Sequence, residues 1–591
     1  MRVVLYSTEM EGWVAYTRPR HVWRAHEPGR IPHILSELEE NVESRGLHGA
    51  GFLSYEAGPA FDPAMPGQNA DRFPLAWFGL FDPPEPVALV PDPCPAEMTW
   101  TAELDASAHA GALGRIREYL SQGETYQVNL TYRLRTPFAG DTWNLFCDLI
   151  SRQPSPHGAY VDLGDFAICC LSPEAFFERS GQDVWSRPMK GTCARGRWLD
   201  EDCARAEALR RCEKNRAENV MIVDMVRNDL GRICLPGSVH APELFRVERY
   251  PTLWQMTSLV RGRTDRTTAD VLAALFPAAS ITGAPKVRTM EIIQELEPSP
   301  RRIYTGSIGV LMPGRRARFN VAIRTVLVDR DRGQAEYGVG GGIVWDSQPE
   351  AEYLESRLKA RVLTTRPDEF SLIETMRWTR DAGIHLRETH LRRLRAGAEY
   401  FGFVFDESEC LLLLEKLTAE MDCDAVVRLT LDRNGRIELS RRDLPTAATC
   451  RLRLAAEPVH SRDVFLFHKT TRRTIYEKAA RDVGDGFEPL LWNERGEVTE
   501  GAIANVVVEM DGQLLTPALE CGLLPGVMRA HLLETGRVRE AVITVAELPQ
   551  VTRIWLISAV RGWRAAKLHG PEDNLDRASC CLVTRSGRPG P

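Results

Sequence analysis

Apolar and polar residues follow strand-like and helix-like spacings along nearly the whole chain, which predicts a protein of mixed α and β structure. In the first part, apolar runs bounded by turn residues predict strands over 2–6, 51–55, 126–134, 166–179, 184–190, 306–328 and 337–345. Apolar residues at helical spacing predict helices over 108–123, 201–231 and 349–363. The segment 201–231 has the pattern of one long helix.

The pattern is interrupted at 364–368, where Thr-Thr-Arg-Pro-Asp predicts a linker. After it, strands are predicted over 371–378, 425–431 and 437–444, and helices over 388–401 and 407–421. The chain of 591 residues is several times the length of a typical domain, and it shows no fixed-period repeat. We therefore predict an α+β protein of two unlike modules, 1–365 and 368–591.

Composition narrows the class of protein. Hydrophobic residues make up 43% and charged residues 26%, and the net charge of -7 gives no reason to expect nucleic-acid or anionic-membrane partners. No apolar stretch approaches the ~18 residues that cross a bilayer. The 14 cysteines lack metal-ligand spacing, and the adjacent pairs Cys169-Cys170 and Cys580-Cys581 suit no ordinary disulfide framework. These features predict a cytoplasmic globular protein with free thiols.

Acidic residues on two predicted helices of the first module form a candidate metal site. Glu218 precedes a strongly apolar stretch, and Glu355 stands one helical turn before Lys359. Two carboxylates from separate helices, together with a carboxylate of a substrate, could hold Mg²⁺. The same spacing is also typical of surface salt bridges.

Glycines at the end of a predicted strand form a candidate anion site. Gly340, Gly341 and Gly342 would let backbone N–H groups approach an anion closely, although a β-bulge or tight turn has the same pattern. The segment 280–286 predicts a helix start with Pro285 near its first turn.

Together these segments resemble the chorismate-utilising enzymes. The resemblance is carried, in order, by 123–130, Ser172-Pro173-Glu174, Pro188-Met189-Lys190-Gly191-Thr192, 216–231, Thr282-Gly283-Ala284-Pro285-Lys286, Ile323-Arg324-Thr325 and 340–346. It implies an α/β sandwich of large antiparallel sheets with outer helices, and Mg²⁺ on Glu218 and Glu355. It implies a chorismate pocket made of Gln127, Gly191, Thr192, Thr282, Tyr304, Arg324, Gly340, Gly341, Gly342 and Lys359.

Two positions distinguish members of this family. Isochorismate and salicylate synthases carry a water-activating lysine where this chain has Gln127, so the resemblance implies ammonia as the nucleophile. Aminodeoxychorismate synthases carry Lys at position 190, where anthranilate synthases usually carry Ala. By that resemblance Lys190 adds to C2 of chorismate, Glu174 protonates the leaving C4 hydroxyl, and ammonia then attacks C4. A hairpin centred on Gln182 is predicted to place Glu174 opposite Lys190, with Cβ atoms ~5 Å apart.

The chain departs from the family at Gln255, where many relatives have His, so the role of this residue stays open. The sequence contains no nucleophilic cysteine in a Gly-x-Cys-x-Gly setting with a downstream His-x-Glu. We therefore expect ammonia to be supplied by a separate glutamine amidotransferase subunit.

The second module resembles class IV, fold-type-IV pyridoxal-phosphate enzymes, a group that includes D-amino-acid aminotransferases. The resemblance is carried by His390 to Leu394, Phe467 to Arg473, Gly496 to Asn505 and Gly522 to Arg529. It implies Lys469 as the Schiff-base lysine and Glu500 on the pyridine nitrogen. It implies Arg393, Val527 and Met528 on the phosphate, with Asn505 in the same cofactor set. Ala504 replaces a common hydroxyl, for which Thr499 is a candidate substitute.

The fusion of the two modules predicts an enzyme that makes 4-aminobenzoate from chorismate and ammonia for folate synthesis, with a synthase followed by a 4-amino-4-deoxychorismate lyase. The alternative enzyme is an anthranilate synthase component I fused to a class IV aminotransferase. A regulatory binding protein with decayed sites is a further alternative, which the presence of Lys190, Glu174, Lys469 and Glu500 disfavours.

Overall fold

The computed structural model describes residues 1–90, 98–364, 369–445 and 450–570. The chain divides into two compact units, one made of Met1–Ala194 with Ala206–Pro367 and the other of Arg195–Arg205 with Asp368–Pro591. Of the predicted linker only Thr364 lies within the described residues, and the pair Cys580-Cys581 lies outside them.

The first unit contains two ten-stranded sheets in which paired strands run antiparallel. The first sheet has the order Gly283–Ala284, Gln127–Pro137, Gln334–Ile343, Thr325–Asp329, Phe166–Cys170, Ala159–Asp162, Arg2–Ser7, Gly12–Thr17 and Glu85–Pro86, with Thr101–Ala102 beside Gln127–Pro137. The second has the order Met189–Ala194, Leu253–Arg263, Asp183–Ser186, Ala175–Ser180, Arg316–Asn320, Ser307–Met312, His48–Leu53, Ala76–Phe81 and His21–Ala25, with His240–Arg249 beside Leu253–Arg263.

Apolar side chains from both sheets meet in one buried cluster, which includes Val14 and Ile168 of the first sheet and Phe52 and Val310 of the second. Helices cover the outer faces, and their bounds are Ile31–Arg45, Ala106–Ser121, Thr142–Arg152, Glu213–Gly231, Thr268–Leu275, Lys286–Leu296 and Pro349–Lys359. This arrangement confirms the predicted sandwich of antiparallel sheets with outer helices.

The second unit contains a four-stranded and an eight-stranded sheet. The smaller sheet has the order Gly383–Ile384, Leu372–Thr379, Ala425–Leu431 and Ile437–Asp443. The larger has the order Val498–Gly501, Glu488–Trp492, Cys450–Leu454, Gly562–Leu568, Arg553–Ser558, Asn505–Met510, Gln513–Pro517 and Arg539–Ala541. The helices of this unit are Arg387–Phe401, Glu407–Ala419, Thr474–Val483 and Val527–Glu534.

Several predicted elements are divided in the structure, among them the strand predicted over 184–190, which is Asp183–Ser186 and Met189–Ala194. The long helix predicted over 201–231 is two helices, Leu199–Arg211 and Glu213–Gly231, because Cys212 between them has an extended backbone with φ -63° and ψ 113°. The strand predicted over 166–179 is also two strands, Phe166–Cys170 and Ala175–Ser180. Since these lie in different sheets, the chain crosses between the layers over 171–174, which contains Glu174.

None of the helices in the described parts of the chain is long and apolar enough to cross a membrane.

Candidate active sites

Lys190 lies in the strand Met189–Ala194, which pairs with Leu253–Arg263 at one edge of the second sheet. A Cβ atom added to Gly342 would come within 2.8 Å of both Lys190 Nζ and Gln127 Nε2, so these two side chains end at the same point of the glycine strand. Burial lowers the pKa of the Lys190 ammonium below its ordinary value, and the charge of Lys359 lowers it further. A lowered pKa increases the fraction of neutral amine, the form that can act as a nucleophile.

Glu174 is buried beside this lysine. Its Oε1 accepts a hydrogen bond of 2.6 Å from the Ser280 hydroxyl. Burial raises the pKa of the Glu174 carboxyl to about 7, although the Ser280 hydroxyl, the charge of Lys190 and the backbone N–H of Met189 act in the opposite direction. A carboxyl with this pKa can hold and release a proton near neutral pH.

The Gln127 side chain is 1% exposed, and neither its amide nitrogen nor its amide oxygen has a hydrogen-bond partner in the protein. Leaving such a polar group buried and unpaired is costly. Because it ends beside Lys190 Nζ, the Gln127 amide is available to a ligand in the same space.

Of the cationic residues Lys359 and Arg324, only Lys359 is already bonded to a carboxylate of the described residues. Lys359 donates to Glu355 Oε1 at 2.8 Å and to the Gly340 carbonyl at 2.9 Å. Burial lowers the pKa of the Arg324 guanidinium, and among the described residues no carboxylate forms an ion pair with it. Arg324 is therefore the cation that is best placed to bind a carboxylate of a ligand.

Tyr304 and Thr282 both contact the strands that carry the predicted pocket residues. A Cβ atom on Gly338 would lie 2.2 Å from the Tyr304 ring, so only glycine permits this contact. Burial raises the pKa of the Tyr304 hydroxyl to about 12, which keeps it a neutral donor. The Thr282 carbonyl accepts from the Asn129 N–H at 2.8 Å and thereby joins its loop to the strand of Gln127.

The predicted metal ligands Glu218 and Glu355 both lie close enough to affect the pKa of Lys190. Among the described residues no group of three His, Cys, Asp or Glu side chains is arranged to hold a metal ion. A cation bound by the two predicted carboxylates would need further ligands.

Gln255, whose role the sequence left open, holds the strand residues that follow Lys190. Its Nε2 donates to the Gly191 carbonyl at 2.9 Å, and its Oε1 accepts from the Thr192 hydroxyl at 3.1 Å. Asn219 adds a bond of 3.2 Å from its Nδ2 to the Lys190 carbonyl. Sequence reasoning missed Asn219 and Ser280, because their roles depend on contacts between distant segments.

The hairpin predicted to place Glu174 opposite Lys190 is wrong in its pairing. Ser180 pairs with Asp183, so the turn is centred between Gly181 and Gln182, and the pairing ends at Glu178 with Trp185. The strand of Lys190 pairs instead with Leu253–Arg263. Glu174 still meets this segment, through the N–H of Met189.

The second site is a cavity of about 240 Å³ in the second unit. Its lining includes the predicted residues Arg393, Lys469, Glu500, Asn505, Val527 and Met528. Burial lowers the pKa of the Lys469 ammonium to about 8, and the charge of Arg393 contributes. The structure thus brings all six predicted cofactor residues to one cavity, with a lysine whose amine is readily deprotonated.

Glu500 is held by three donors. Its Oε1 accepts from the Tyr476 hydroxyl at 2.8 Å and from the Leu524 N–H at 3.1 Å, and its Oε2 accepts from Asn505 Nδ2 at 3.1 Å. Burial raises the pKa of Glu500 to about 7. Asn505 therefore orients Glu500, and Tyr476 is a site residue that sequence reasoning missed.

Another part of the cavity lining suits an anion. Val527 begins the helix Val527–Glu534, and both Val527 and Met528 line the cavity. A Cβ atom on Gly526 would lie 1.8 Å from Asn505 Oδ1, so this approach requires glycine. The first N–H groups of a helix attract phosphate and carboxylate groups.

Arg393 is fixed by a buried carboxylate. Its Nε and Nη2 donate to Glu374 at 2.8 and 2.7 Å, and His390 Nδ1 lies 2.6 Å from the same carboxylate. Although burial opposes ionisation, the charges of Arg393 and His390 bring the pKa of Glu374 to about 2. Glu374 thus orients the arginine for which the family resemblance predicts a phosphate contact.

Thr499 does not lie in the cavity, because consecutive strand residues point to opposite faces and Glu500 takes the inward position. The hydroxyl-bearing residues that line the cavity are Thr375, Tyr476 and Ser558.

Comparisons with known proteins find two families along the chain. Residues 88–365 match the family described as chorismate binding enzyme, and residues 371–568 match the family described as amino-transferase class IV. A probable aminodeoxychorismate synthase from Oryza sativa subsp. japonica is 44% identical over 262 residues, which are 43% of this chain and 29% of that protein.

Aminodeoxychorismate synthase component 1 from Escherichia coli is 40% identical over 278 residues, 47% of this chain and 59% of that protein. The match therefore spans less than two thirds of either relative. Among solved structures, anthranilate synthase component I from Streptococcus pneumoniae aligns with a TM-score of 0.52 at 24% identity, over 60% of this chain and 92% of that chain, which supports the fold.

Proposed function

We propose that this chain, which joins a chorismate-binding enzyme domain to a class IV aminotransferase domain, makes 4-aminobenzoate from chorismate in two successive reactions. The first is the amination of chorismate to 4-amino-4-deoxychorismate, and the second eliminates pyruvate from that product. The observation that carries the proposal is the position of Lys190 Nζ beside the unpaired Gln127 amide, with the protonatable Glu174 nearby.

In the first reaction, the neutral Lys190 amine attacks C2 of the chorismate ring as the C4 hydroxyl departs, and Glu174 gives that hydroxyl its proton. Ammonia then attacks C4, and the bond to Lys190 breaks, which returns the lysine. The two displacements place the new amine para to the ring carboxylate. Gln127 contributes a neutral amide to the pocket, which is a poor base for water and leaves ammonia as the nucleophile.

The remaining residues of the first site are proposed to bind and orient the substrate. Arg324 and Tyr304 bind chorismate carboxylates, together with the backbone of Gly340, Gly341 and Gly342. Thr282, Gly191 and Thr192 shape the pocket, and Gln255 keeps the last two in place through its two hydrogen bonds. Lys359 is already bonded to Glu355 and Gly340, so it adds positive charge from a fixed position.

Mg²⁺ fits the carboxylates of this site. Glu218 and Glu355 come from separate helices and both lie close enough to affect Lys190. Hard oxygen ligands suit Mg²⁺, which commonly keeps waters and takes further oxygen atoms from a substrate. In this role, Glu218 and Glu355 would hold the ion against a chorismate carboxylate.

Pyridoxal phosphate fits the cavity of the second unit. Lys469 supplies an amine with a lowered pKa, Glu500 supplies a carboxylate for the pyridine nitrogen, and the helix that begins at Val527 supplies N–H groups for phosphate. When bound, pyridoxal phosphate acts as an electron sink for the carbon that bears the substrate amine. Lys469 then takes the ring proton while the C–O bond to the enolpyruvyl group breaks. The departing enolate takes up a proton to become pyruvate, and aromatisation drives the reaction.

Ammonia is proposed to come from a separate glutamine amidotransferase, as the name component 1 of the Escherichia coli relative suggests. The product would serve folate synthesis. The alternative function, an anthranilate synthase component I joined to a class IV aminotransferase, is weakened by Lys190, because amination at C2 needs no lysine that adds to that carbon.

One incubation tests the proposal. The purified chain is supplied with chorismate, Mg²⁺, an ammonium salt and pyridoxal phosphate, and the aromatic amine is identified by chromatography and mass. We expect 4-aminobenzoate and pyruvate, and no product when glutamine replaces the ammonium salt. Anthranilate as the product would support the alternative, and no aromatic amine at all would overturn both.

A further inference from the structure

Five arginines line the cavity of the second unit, and three of them are exposed. Arg428, Arg442 and Arg561 are all exposed and all reach the cavity. In the described part of the chain, no carboxylate lies within ion-pairing distance of any of them. We refer to these three residues as the cationic rim.

The strand register places two members of the rim on the same face of the smaller sheet. Arg428 lies opposite Thr375 on one side and opposite Ser440 on the other, and Arg442 follows Ser440 by two residues. Residues two apart share a face, and diagonal neighbours across a strand pair are ~7–8 Å apart. The other face carries Val427 and Leu429, which are buried in the helix-covered core, so the two arginines point away from that core.

The third member comes from a different sheet. Arg561 lies in the turn between the strands Arg553–Ser558 and Gly562–Leu568. Partial burial lowers the pKa of the Arg561 guanidinium, and the positive charges of Arg564 and Arg442 lower it further, although the charge of Glu488 acts in the opposite direction. Arg442 and Arg561 therefore repel each other across the cavity, a cost that a bound anion would remove.

The charges around the cavity are unbalanced. Its lining contains the cations Arg393, Arg428, Arg442, Lys469, Arg473 and Arg561, but a single carboxylate, Glu500. Glu374 offsets Arg393 from behind the lining, and the helix start at Val527 offers a separate place for a phosphate. Neither Glu374 nor the helix start neutralises the positive charge of the cationic rim.

We propose that Arg428, Arg442 and Arg561 bind the carboxylates of the amine substrate, so that the second site selects an amine with two carboxylates over neutral amines. This inference rests on the proposed function, because 4-amino-4-deoxychorismate carries one carboxylate on its ring and another on its enolpyruvyl group. The ring carboxylate lies para to the amine. When the amine is placed at Lys469, that carboxylate therefore lies at the end of the ring away from the lysine.

The test compares the variants Arg442→Gln and Arg561→Gln, singly and together, with the matched control Arg441→Gln. Arg441 is adjacent on the same strand, but it pairs with Val427, faces the other way and does not line the cavity. With the full chain carrying pyridoxal phosphate, each rim variant should raise the KM for purified 4-amino-4-deoxychorismate by about tenfold, the scale of one lost charge-assisted hydrogen bond. Arg441→Gln should match the wild type, and the visible absorbance of the bound cofactor should be unchanged in all variants.

A second readout does not depend on turnover. The wild type should bind 4-aminobenzoate more tightly than the neutral 4-aminobenzamide, and this preference should fall by about tenfold in each rim variant. A wild type that does not cleave 4-amino-4-deoxychorismate would overturn the proposed function, while the acid-to-amide preference would still judge the rim. A wild type that cleaves it, with rim variants equal to Arg441→Gln in both KM and binding preference, would overturn the rim. Thermal unfolding of each variant separates loss of binding from loss of fold.

Discussion

The Ser280 hydroxyl donates a hydrogen bond of 2.6 Å to Oε1 of Glu174, the carboxyl that we propose as the acid of the first reaction. Burial raises the pKa of Glu174 to about 7, and this hydroxyl is the largest of the contributions that hold it down. The pair therefore determines the pH at which Glu174 loses the proton that the departing hydroxyl needs. Below pH 7 the Glu174 carboxyl is mostly protonated, and above pH 7 it is mostly deprotonated and cannot act as an acid.

We expect Ser280→Ala to raise the pKa of Glu174, because the variant removes a donor that stabilises the charged form. The alkaline limb of the pH profile for chorismate amination should then move to higher pH. The measurement is kcat/KM for chorismate against pH, at a constant concentration of free ammonia. Ser121→Ala, an exposed serine bonded only to a helix carbonyl, serves as the control and should leave the limb in place. A limb that stays fixed or moves to lower pH in Ser280→Ala would argue against Glu174 as the acid.

We expect Glu374→Gln to lower the free energy of unfolding of the second unit by ~3 kcal/mol, because it leaves the Arg393 guanidinium buried without its counter-charge. Chemical denaturation measures this loss, and the same variant should bind pyridoxal phosphate more weakly. Glu388→Gln, an exposed residue on the helix of Arg393, should change stability by no more than ~0.5 kcal/mol.

The same carboxylate predicts a pH dependence of stability. The pKa of Glu374 in the folded protein, about 2, lies below the value of about 4.3 for an unperturbed glutamate. The contribution of its ionised form is therefore fully present above pH ~4.3 and is lost as the pH falls toward 2. Glu374→Gln should remove this part of the acid sensitivity, and a variant that loses stability with the wild-type profile would contradict the assignment.

Local sequence pattern predicted many elements well. The strand predicted over 425–431 is Ala425–Leu431 in the structure, and the helix predicted over 388–401 is Arg387–Phe401. In both, apolar residues recur with one clear period and turn residues mark the ends. The helix predicted over 201–231 failed at Cys212, because a single residue with an extended backbone leaves the average pattern of a long segment unchanged.

The motifs indicated candidate residues for the chemistry, but not the residues that hydrogen-bond to them. Lys469 and Glu500 stand in recognisable local sequences, whereas Tyr476 reaches Glu500 from a separate helix. Ser280 lies 106 positions from Glu174 in the chain, and no local pattern relates the two. Such pairs arise from tertiary packing, which is also why the predicted pairing of Glu174 with Lys190 failed although the two are near each other.

We expect Lys469→Ala to separate the two reactions. The variant removes the lysine of the second site and leaves every residue of the first site intact. It should therefore consume chorismate with ammonium and accumulate 4-amino-4-deoxychorismate, without releasing 4-aminobenzoate and without the visible absorbance that pyridoxal phosphate gains in the wild type. Mass spectrometry of the small molecules measures both species. If chorismate consumption disappears while the variant remains folded, the two sites are not independent.

In the proposed mechanism, the para position of the new amine depends on Lys190. Ammonia can enter at C2 in one displacement, whereas entry at C4 by the proposed route requires C2 to be occupied first. The amine proposed to occupy C2 is Lys190 Nζ, which lies beside Gly342 and Gln127. We expect Lys190→Ala to lose at least ~10²-fold of 4-amino-4-deoxychorismate formation, the scale of a lost covalent route, and to shift residual amination toward C2. Lys190→Met, which keeps the aliphatic chain, should lose the same activity without opening space at C2. Wild type incubated with chorismate in the absence of ammonia should carry an adduct on the peptide that contains Lys190, detected by mass. Near wild-type formation of 4-aminobenzoate by Lys190→Ala would refute the covalent role and reopen the choice between ortho and para amination.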